Sequence, residues 1–255
     1  MSQPAGADAA SDPRPELPIR PAATVMLVRD APAGLQVFVL RRVAAMAFAP
    51  GMTVFPGGAV DPADHDPALT WAGPDEHWWA EHLQQEAGPA RALVVAAVRE
   101  LFEETGVLLA GPGEPAGSSV APVDDKLRLA LVEHRITLAS ALADAGLRLR
   151  ADLLWPWANW ITPPGRTKRY DTFFFAAALP PGQQAEMLTT EADLGQWRTP
   201  QELLDEGSAG TTALMPPTVA MLTDLTGFAG VADVLAAQRV VTPVRVRAGD
   251  FPGVS

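Results

Sequence analysis

The chain has 255 residues, 30 acidic against 19 basic side chains, a net charge of −11 and no cysteine. That length fits one enlarged domain or a domain with helical additions. The lack of cysteine excludes disulfides, thiolate catalysis and cysteine-ligated metal, and the acidic balance excludes a global attraction for nucleic acid or an anionic membrane surface. Any anionic substrate must therefore meet local cations or a metal. No run of about 18 apolar residues is present, and the opening residues lack the apolar centre of a signal peptide, so the expectation is a soluble cytoplasmic protein.

Residues 1 to about 20 are rich in Pro, Ala and Asp with little to bury, and read as a flexible tail. Ala22 to Val28 and Gln36 to Val43 are Val-rich runs separated by Pro32 and Gly34, the pattern of two strands joined by a turn. A Gly/Pro loop, Pro50 to Asp61, comes next. Gly73 and Pro74 suit the start of a short helix carrying Trp78 and Trp79, and Pro89 to Thr105 is the strongest helical pattern, opened by Gly88-Pro89 and closed by Gly106. Its Val94, Val98, Leu101 and Phe102 share one face.

After a Gly-rich linker, helices are expected over about Val123 to Glu133, with Leu127, Leu131 and His134 inward, and over Thr137 to Ala145. Leu153 to Thr162 and Asp171 to Leu179 read as strands flanking a basic turn. Gln201 to Glu206 and Pro216 to Gln238 read as helices. The domain proper is expected over 21–210, with helical insertions at about 65–88 and 123–146, and a C-terminal helical extension and tail over 211–255. These elements alone support an α/β or α+β class.

The chemistry concentrates in Arg99-Glu100-Leu101-Phe102-Glu103-Glu104-Thr105-Gly106. Glu100, Glu103 and Glu104 fall within about 100° of one helix face, a costly cluster unless a cation neutralises it, and an all-oxygen set suits Mg²⁺ or Mn²⁺ rather than zinc. The alternative is a solvated acidic face. Upstream, Phe55-Pro56-Gly57-Gly58 lets bare backbone approach that helix closely.

Gly58, Asp64 after five intervening residues, and the R-E-x-x-E-E-x-G run together resemble the Nudix box. Five fixed positions of this kind arise by chance in roughly one of several thousand chains of such length. Asp64 stands where the family has Glu, and the usual seven-residue gap is here the 34 residues His65 to Val98. A box split in this way is similar to that of the peroxisomal coenzyme A diphosphatases and their bacterial relatives. Arg42, Gly51 and Phe55 match the coenzyme A pattern of that branch, whereas Ala47 stands where a second Arg is expected.

The resemblance implies an α/β/α sandwich on a mixed sheet and a pyrophosphohydrolase using Mg²⁺ or Mn²⁺. It also implies metal ligands at Glu100, Glu103, Glu104 and the Gly57 carbonyl, with Arg99 orienting Glu100. A further carboxylate before Trp197 is expected at Glu191, with Asp193 and Glu186 behind it, and the general base is either Glu100 or Glu191. The leading substrate is coenzyme A or an acyl-coenzyme A. ADP-ribose, dinucleotides and nucleotide sugars form the alternative within enzymes, and a non-catalytic ligand sensor forms the alternative outside them. Small-molecule nucleoside diphosphates are thus the expected partners, with neither nucleic acid nor membrane.

Arg42 leads Arg166, Lys168 and Arg169 as candidate substrate contacts. Trp155, Trp157 and Trp160 invite a base-stacking reading, but Trp155 and Trp157 share one strand face, where such rings more often belong to the core. His65, His77, His82 and His134 lack metal-ligand spacing. Trp71, Trp78, Trp79 and Leu83 are expected to serve a packed surface or a subunit interface, which leaves a homodimer open.

Overall fold

The computed structural model describes residues 18–46, 49–112, 125–239 and 241–245. Strands β1 (Ile19–Ala31) and β2 (Gly34–Arg42) form an antiparallel hairpin. The strand start moves Ile19 and Arg20 out of the expected tail, because β1 pairs in parallel with a later strand from Ile19↔Arg169 onward. The Gly/Pro loop holds two short strands, β3 (Met52–Val54) against β2 and β4 (Gly57–Ala59) against β1. Edge pairing thus satisfies backbone groups that composition alone assigns to a loop.

Beyond a single 3₁₀ turn, Pro62–His65, come β5 (Trp71–Ala72), α1 (Glu76–Leu83) and the 19-residue α2 (Ala87–Thr105). Gly106, with φ of 74°, ends α2 in the left-handed region. The chain continues through β6 (Ala110–Gly111), α3 (Asp125–Val132), α4 (Leu138–Asp144) and β7 (Arg148–Arg150). Then follow β8 (Trp155–Ile161), β9 (Arg169–Ala178), β10 (Ala192–Arg198), α5 (Pro200–Ser208) and β11 (Ala213–Leu214). Helices α6 (Pro216–Leu225) and α7 (Val231–Ala236) precede β12 (Pro243–Arg245). The single helix expected from Pro216 to Gln238 is thus two, interrupted around Gly227 and Gly230. Residues 123 and 124, the start expected for α3, lie outside the described residues, as do most of the Gly-rich linker and Ala47.

The main sheet runs β11-β3-β2-β1-β9-β8-β12, with β10 added to β2 and β4 to β1. It is mixed, since β1·β9, β3·β11 and β8·β12 are parallel and the other pairs antiparallel. A second small sheet, β5-β7-β6, lies beside it. Alternation along each strand divides the core in two. Ala23, Val25, Leu27, Phe173 and Phe175 pack with α1 and α2, while Met26, Val28, Val37, Phe174 and Ala176 pack with Leu203, Met221, Leu222, Leu225 and Val234 of α5, α6 and α7. The result is the α/β/α sandwich that the resemblance implied.

Trp155 and Trp157 belong to the second core as expected, and a register shift between Pro156 and Ala158 brings Trp160 onto the same side. The segment between the two halves of the motif packs into the first core. Trp79 and Leu83 are fully buried, and Trp79 lies 5.9 Å from the Phe175 ring. Arg91 of α2 donates to the Leu69 carbonyl and stacks 5.0 Å over Trp71, fastening the segment as it returns.

Trp79→Ala should cost about 3 to 5 kcal/mol of unfolding free energy, as expected for a large aromatic removed from a close-packed core. Divalent-metal affinity of the folded variant should stay within about twofold. Urea unfolding and metal titration on the same sample check both parts, and an unchanged midpoint would show that the ring is not a core group.

Candidate active site

The site is assembled at the C-terminal half of α2, where the helix passes under β4. Arg99 and Asp64, 35 residues apart in sequence, meet in a buried two-pronged pair: Nε to Oδ1 at 2.8 Å and Nη2 to Oδ2 at 2.9 Å. The shorter Asp is sufficient because it sits in the 3₁₀ turn, where its Oδ2 also accepts the Asp61 amide at 2.8 Å. The Arg99 Nη1 donates to Glu100 Oε1 at 2.8 Å and to Glu103 Oε2 at 3.2 Å, and Nη2 reaches the Ala59 carbonyl at 3.0 Å.

Glu104 is held separately, its Oε2 accepting the Gly57 amide at 2.9 Å. Gly58 must lack a side chain, because a Cβ there would lie 2.6 Å from the Glu100 carboxyl carbon. The two glycines therefore have distinct tasks. One amide orients a carboxylate and the other residue makes room for one.

The Arg99 guanidinium alone is bonded to Asp64, Glu100 and Glu103, and Glu104 has only the more distant charge of Arg42, itself paired with Glu191, so the charges do not balance. Burial pushes the Glu100 carboxyl up to about 7, with Arg99 pulling it down and Glu103 adding repulsion. Burial, reinforced by Glu100, pushes Glu104 up to about 8 against the opposing Gly57 hydrogen bond. Glu103 is also raised, again chiefly by burial. Burial alone would favour a neutral Arg99, yet its bond to Asp64 and the surrounding carboxylates raise its pKa and keep it charged. Protons or a cation must relieve the remaining negative charge.

An all-oxygen set with this excess charge fits a hard divalent cation, which takes few protein carboxylates and completes its shell with water and phosphate. Among the described residues no three acidic or histidine side chains converge as a ready-made cage. Arg99 holds one oxygen of Glu100 and one of Glu103, and the Gly57 amide holds one of Glu104.

These groups line a cleft of about 820 Å³ that also takes in Arg20, Arg42, Arg128, His134, Lys168 and Glu191. Glu191 lies beside Arg42, whose Nη2 donates to its Oε2 at 3.1 Å. Asp193 instead pairs with Arg41 in solvent, at 2.7 Å, and Glu186 does not line the cleft. The basic turn divides as well. Lys168 lines the cleft, Arg166 does not, and Arg169 is buried with its Nε donating to the Thr162 carbonyl at 3.2 Å. Of the three cations of this turn, Lys168 is thus the one that the cleft takes in, while Arg169 braces the turn between β8 and β9.

Gly57 contacts Glu104 through its amide. His134, expected on the inner face of α3, instead follows the helix at φ 51°, is exposed and lines the cleft. Arg20 and Arg128 are cleft residues the sequence did not single out for the site, and of the three Trp rings weighed for stacking only Trp160 lines the cleft.

The sandwich and the glutamate cluster under a glycine-rich strand define a class, and the chain belongs to the Nudix family of pyrophosphohydrolases. Residues 80–225 match the NUDT19 Nudix domain. The chain is 30% identical to human acyl-coenzyme A diphosphatase NUDT19, over 84% of this chain and 67% of that protein. It is also 30% identical to putative nudix hydrolase 7 of Caenorhabditis elegans, over 74% of this chain but only 55% of the relative's length. A crystal structure of a Nudix hydrolase from Alicyclobacillus acidocaldarius superposes with a TM-score of 0.71 at 28% identity, covering 88% of this chain and 98% of that one. Nudix hydrolases as a family need a divalent metal and act on small-molecule nucleoside diphosphate derivatives. No helix among the described residues is long and apolar enough to cross a membrane.

The raised carboxyls give a signed pH dependence. Glu100 and Glu104 bind protons more tightly folded than unfolded, so their stabilising contribution is complete below about pH 4.5 and is lost as pH rises through 7 and 8. Metal-free protein should show a falling Tm from pH 5 to pH 8.5, and saturating Mg²⁺ should flatten or reverse the slope. Differential scanning calorimetry in chelator and in Mg²⁺ checks this; parallel slopes would show that these carboxyls do not bear the uncompensated charge.

Proposed function

We propose that the chain hydrolyses the diphosphate of coenzyme A or an acyl-coenzyme A. Water adds to one phosphorus and the bridging P–O bond breaks, giving adenosine 3′,5′-bisphosphate and phosphopantetheine or its acyl thioester. The observation that carries the reading is the joint lining of one cleft by Glu100, Glu103 and Glu104 with the cations Arg42 and Lys168. The 30% identity to human acyl-coenzyme A diphosphatase NUDT19 supports the substrate.

In this reading Glu100, Glu103, Glu104 and the Gly57 carbonyl hold Mg²⁺ or Mn²⁺. Bound there, the cation supplies charge neutralisation on the phosphates and a water of hydroxide character. Arg99 fixes Glu100 and Glu103 so that they need not reorganise during turnover. Glu191 is the candidate general base, with Glu100 the other, and the ion pair with Arg42 holds Glu191 at the cleft wall. Arg42 and Lys168 contact phosphates away from the scissile link.

A panel of coenzyme A, an acyl-coenzyme A, ADP-ribose, a dinucleotide and a nucleotide sugar, assayed with Mg²⁺ or Mn²⁺ and product analysis, tests the substrate. The highest kcat/KM is expected on the coenzyme A thioester or the free thiol. A tenfold preference for ADP-ribose, a dinucleotide or a nucleotide sugar would overturn that choice. Glu103→Gln and Glu104→Gln should each remove most activity while the fold persists, because amides are poorer ligands for a hard cation. Near-normal turnover of both at saturating metal would return the cluster to an acidic surface.

Arg42→Ala should lower kcat/KM for coenzyme A by about ten- to a hundredfold, the scale of one charge-assisted contact. If Arg42 reads the 3′-phosphate, dephospho-coenzyme A should be scarcely affected. Equal losses on both substrates would assign Arg42 to the diphosphate or to holding Glu191.

A further inference from the structure

Helix α3 lies outside the glycine and glutamate motif, yet it brings Arg128, Leu129 and Val132 into the cleft. Arg128 is only 7% exposed. Its Nη1 donates to the Glu103 carbonyl at 3.0 Å and to the Leu188 carbonyl at 3.1 Å. These two bonds are part of a larger closure of the end of α2. The Leu188 amide donates to the Glu104 carbonyl at 2.9 Å, the Glu186 amide to Thr105 at 3.1 Å and the Gly106 amide to Phe102 at 2.9 Å. The last carbonyls of the helix are thereby satisfied, and Arg128 is fixed in place at its negative pole.

Helix capping accounts for one nitrogen of the three. The buried Nε has no hydrogen-bond partner, and both bonds of Arg128 among the described residues leave from Nη1, none from Nη2. Neither bond goes to a carboxylate. Carbonyl dipoles offset only part of the cost of desolvating a full positive charge, and a buried charge ordinarily meets a counter-ion. Arg42 and Lys168 line the same cleft with it, so cations ring the carboxylate cluster. A guanidinium fork with two nitrogens available matches the paired oxygens of a phosphoryl group better than a single point charge does.

We infer that Arg128 is a substrate-binding residue, held through Nη1 at the end of α2 and offering its remaining N–H groups to non-bridging oxygens of the substrate's diphosphate. The inference rests on reading the cleft as a diphosphate site. It makes α3 a part of the binding machinery, since the helix delivers a buried cation whose bonds among the described residues go to carbonyls rather than to an acidic side chain.

The test uses the full chain loaded with Mn²⁺ and α,β-methylene-ADP, whose diphosphonate resists hydrolysis, with binding read by calorimetry. Arg128→Ala should weaken the probe by about ten- to a hundredfold, the scale of a charge-assisted bond. Millimolar guanidinium should restore part of the loss. Arg128→Lys keeps a cation with donors for both carbonyls but lacks the second nitrogen. It should hold its Tm near wild type, keep its Mn²⁺ affinity and still bind the probe at least fivefold more weakly. Probe binding by Arg128→Lys within twofold of wild type would overturn the inference and leave Arg128 as a helix clamp. A loss matched by an equal loss of Mn²⁺ affinity would overturn it too. If wild type itself bound no probe, the diphosphate reading would fall along with it. Wild-type binding with an indifferent variant would sink only the role of Arg128.

Discussion

The buried guanidinium of Arg99 is the constraint on which the site depends. It joins the 3₁₀ turn, strand β4 and helix α2 through Asp64, the Ala59 carbonyl, Glu100 and Glu103. Without a cation at that point, four carboxylates would crowd one end of a helix with only hydrogen bonds to separate them. With it, two glutamates are oriented before any ligand arrives. Such preorganisation is what makes electrostatic catalysis effective, because reorienting dipoles during the reaction would raise the barrier.

Strand β4 completes the arrangement by backbone alone. It pairs with β1 through Thr24↔Gly57 and Ala23↔Gly58, which sets the distance between the sheet and α2. The close approach at Gly58 and the amide contact at Gly57 both follow from that register. The opposite wall comes from β2 and the turn before β10, where Arg42 and Glu191 face each other. A chain carrying a net charge of −11 thus gathers Arg20, Arg42, Arg99, Arg128 and Lys168 at one cleft.

Much of this was legible in the sequence because it follows short periods. The continuous apolar runs of β1 and β9 mark strands buried on both faces, and the three- and four-residue spacing of Val94, Val98, Leu101 and Phe102 marks the core face of α2. Glycine, arginine and glutamate at fixed offsets state where the chemistry lies. Arg128 was opaque for a physical reason: it acts through the carbonyls of Glu103 and Leu188, and any residue type supplies a carbonyl. His134 was misplaced because helical spacing was carried one turn too far, past the end of α3 at Val132. Strands β3 and β4 were hidden by their brevity, three residues each, in a segment whose glycines and prolines signal a loop. The cut between α6 and α7 was overlooked because apolar residues on both sides preserve the pattern.

The excursion between His65 and Val98 leaves and rejoins the site at a single ion pair. Viewed as a polymer ring, its closure entropy rises only with the logarithm of its length. Each doubling adds about 0.6 kcal/mol, so about two doublings separate this ring from the short version of the motif at a cost near 1.2 kcal/mol. The burial of Trp79 and Leu83 more than offsets that amount. The exposed turn between α1 and α2, at Gln84 to Glu86 near the middle of the ring, is therefore a port where foreign sequence can be spliced, such as a fluorescent reporter or an affinity handle. The ring would transmit little of the added chain's motion to the glutamates, because Arg91 and Arg99 clamp it at two successive points on its way back.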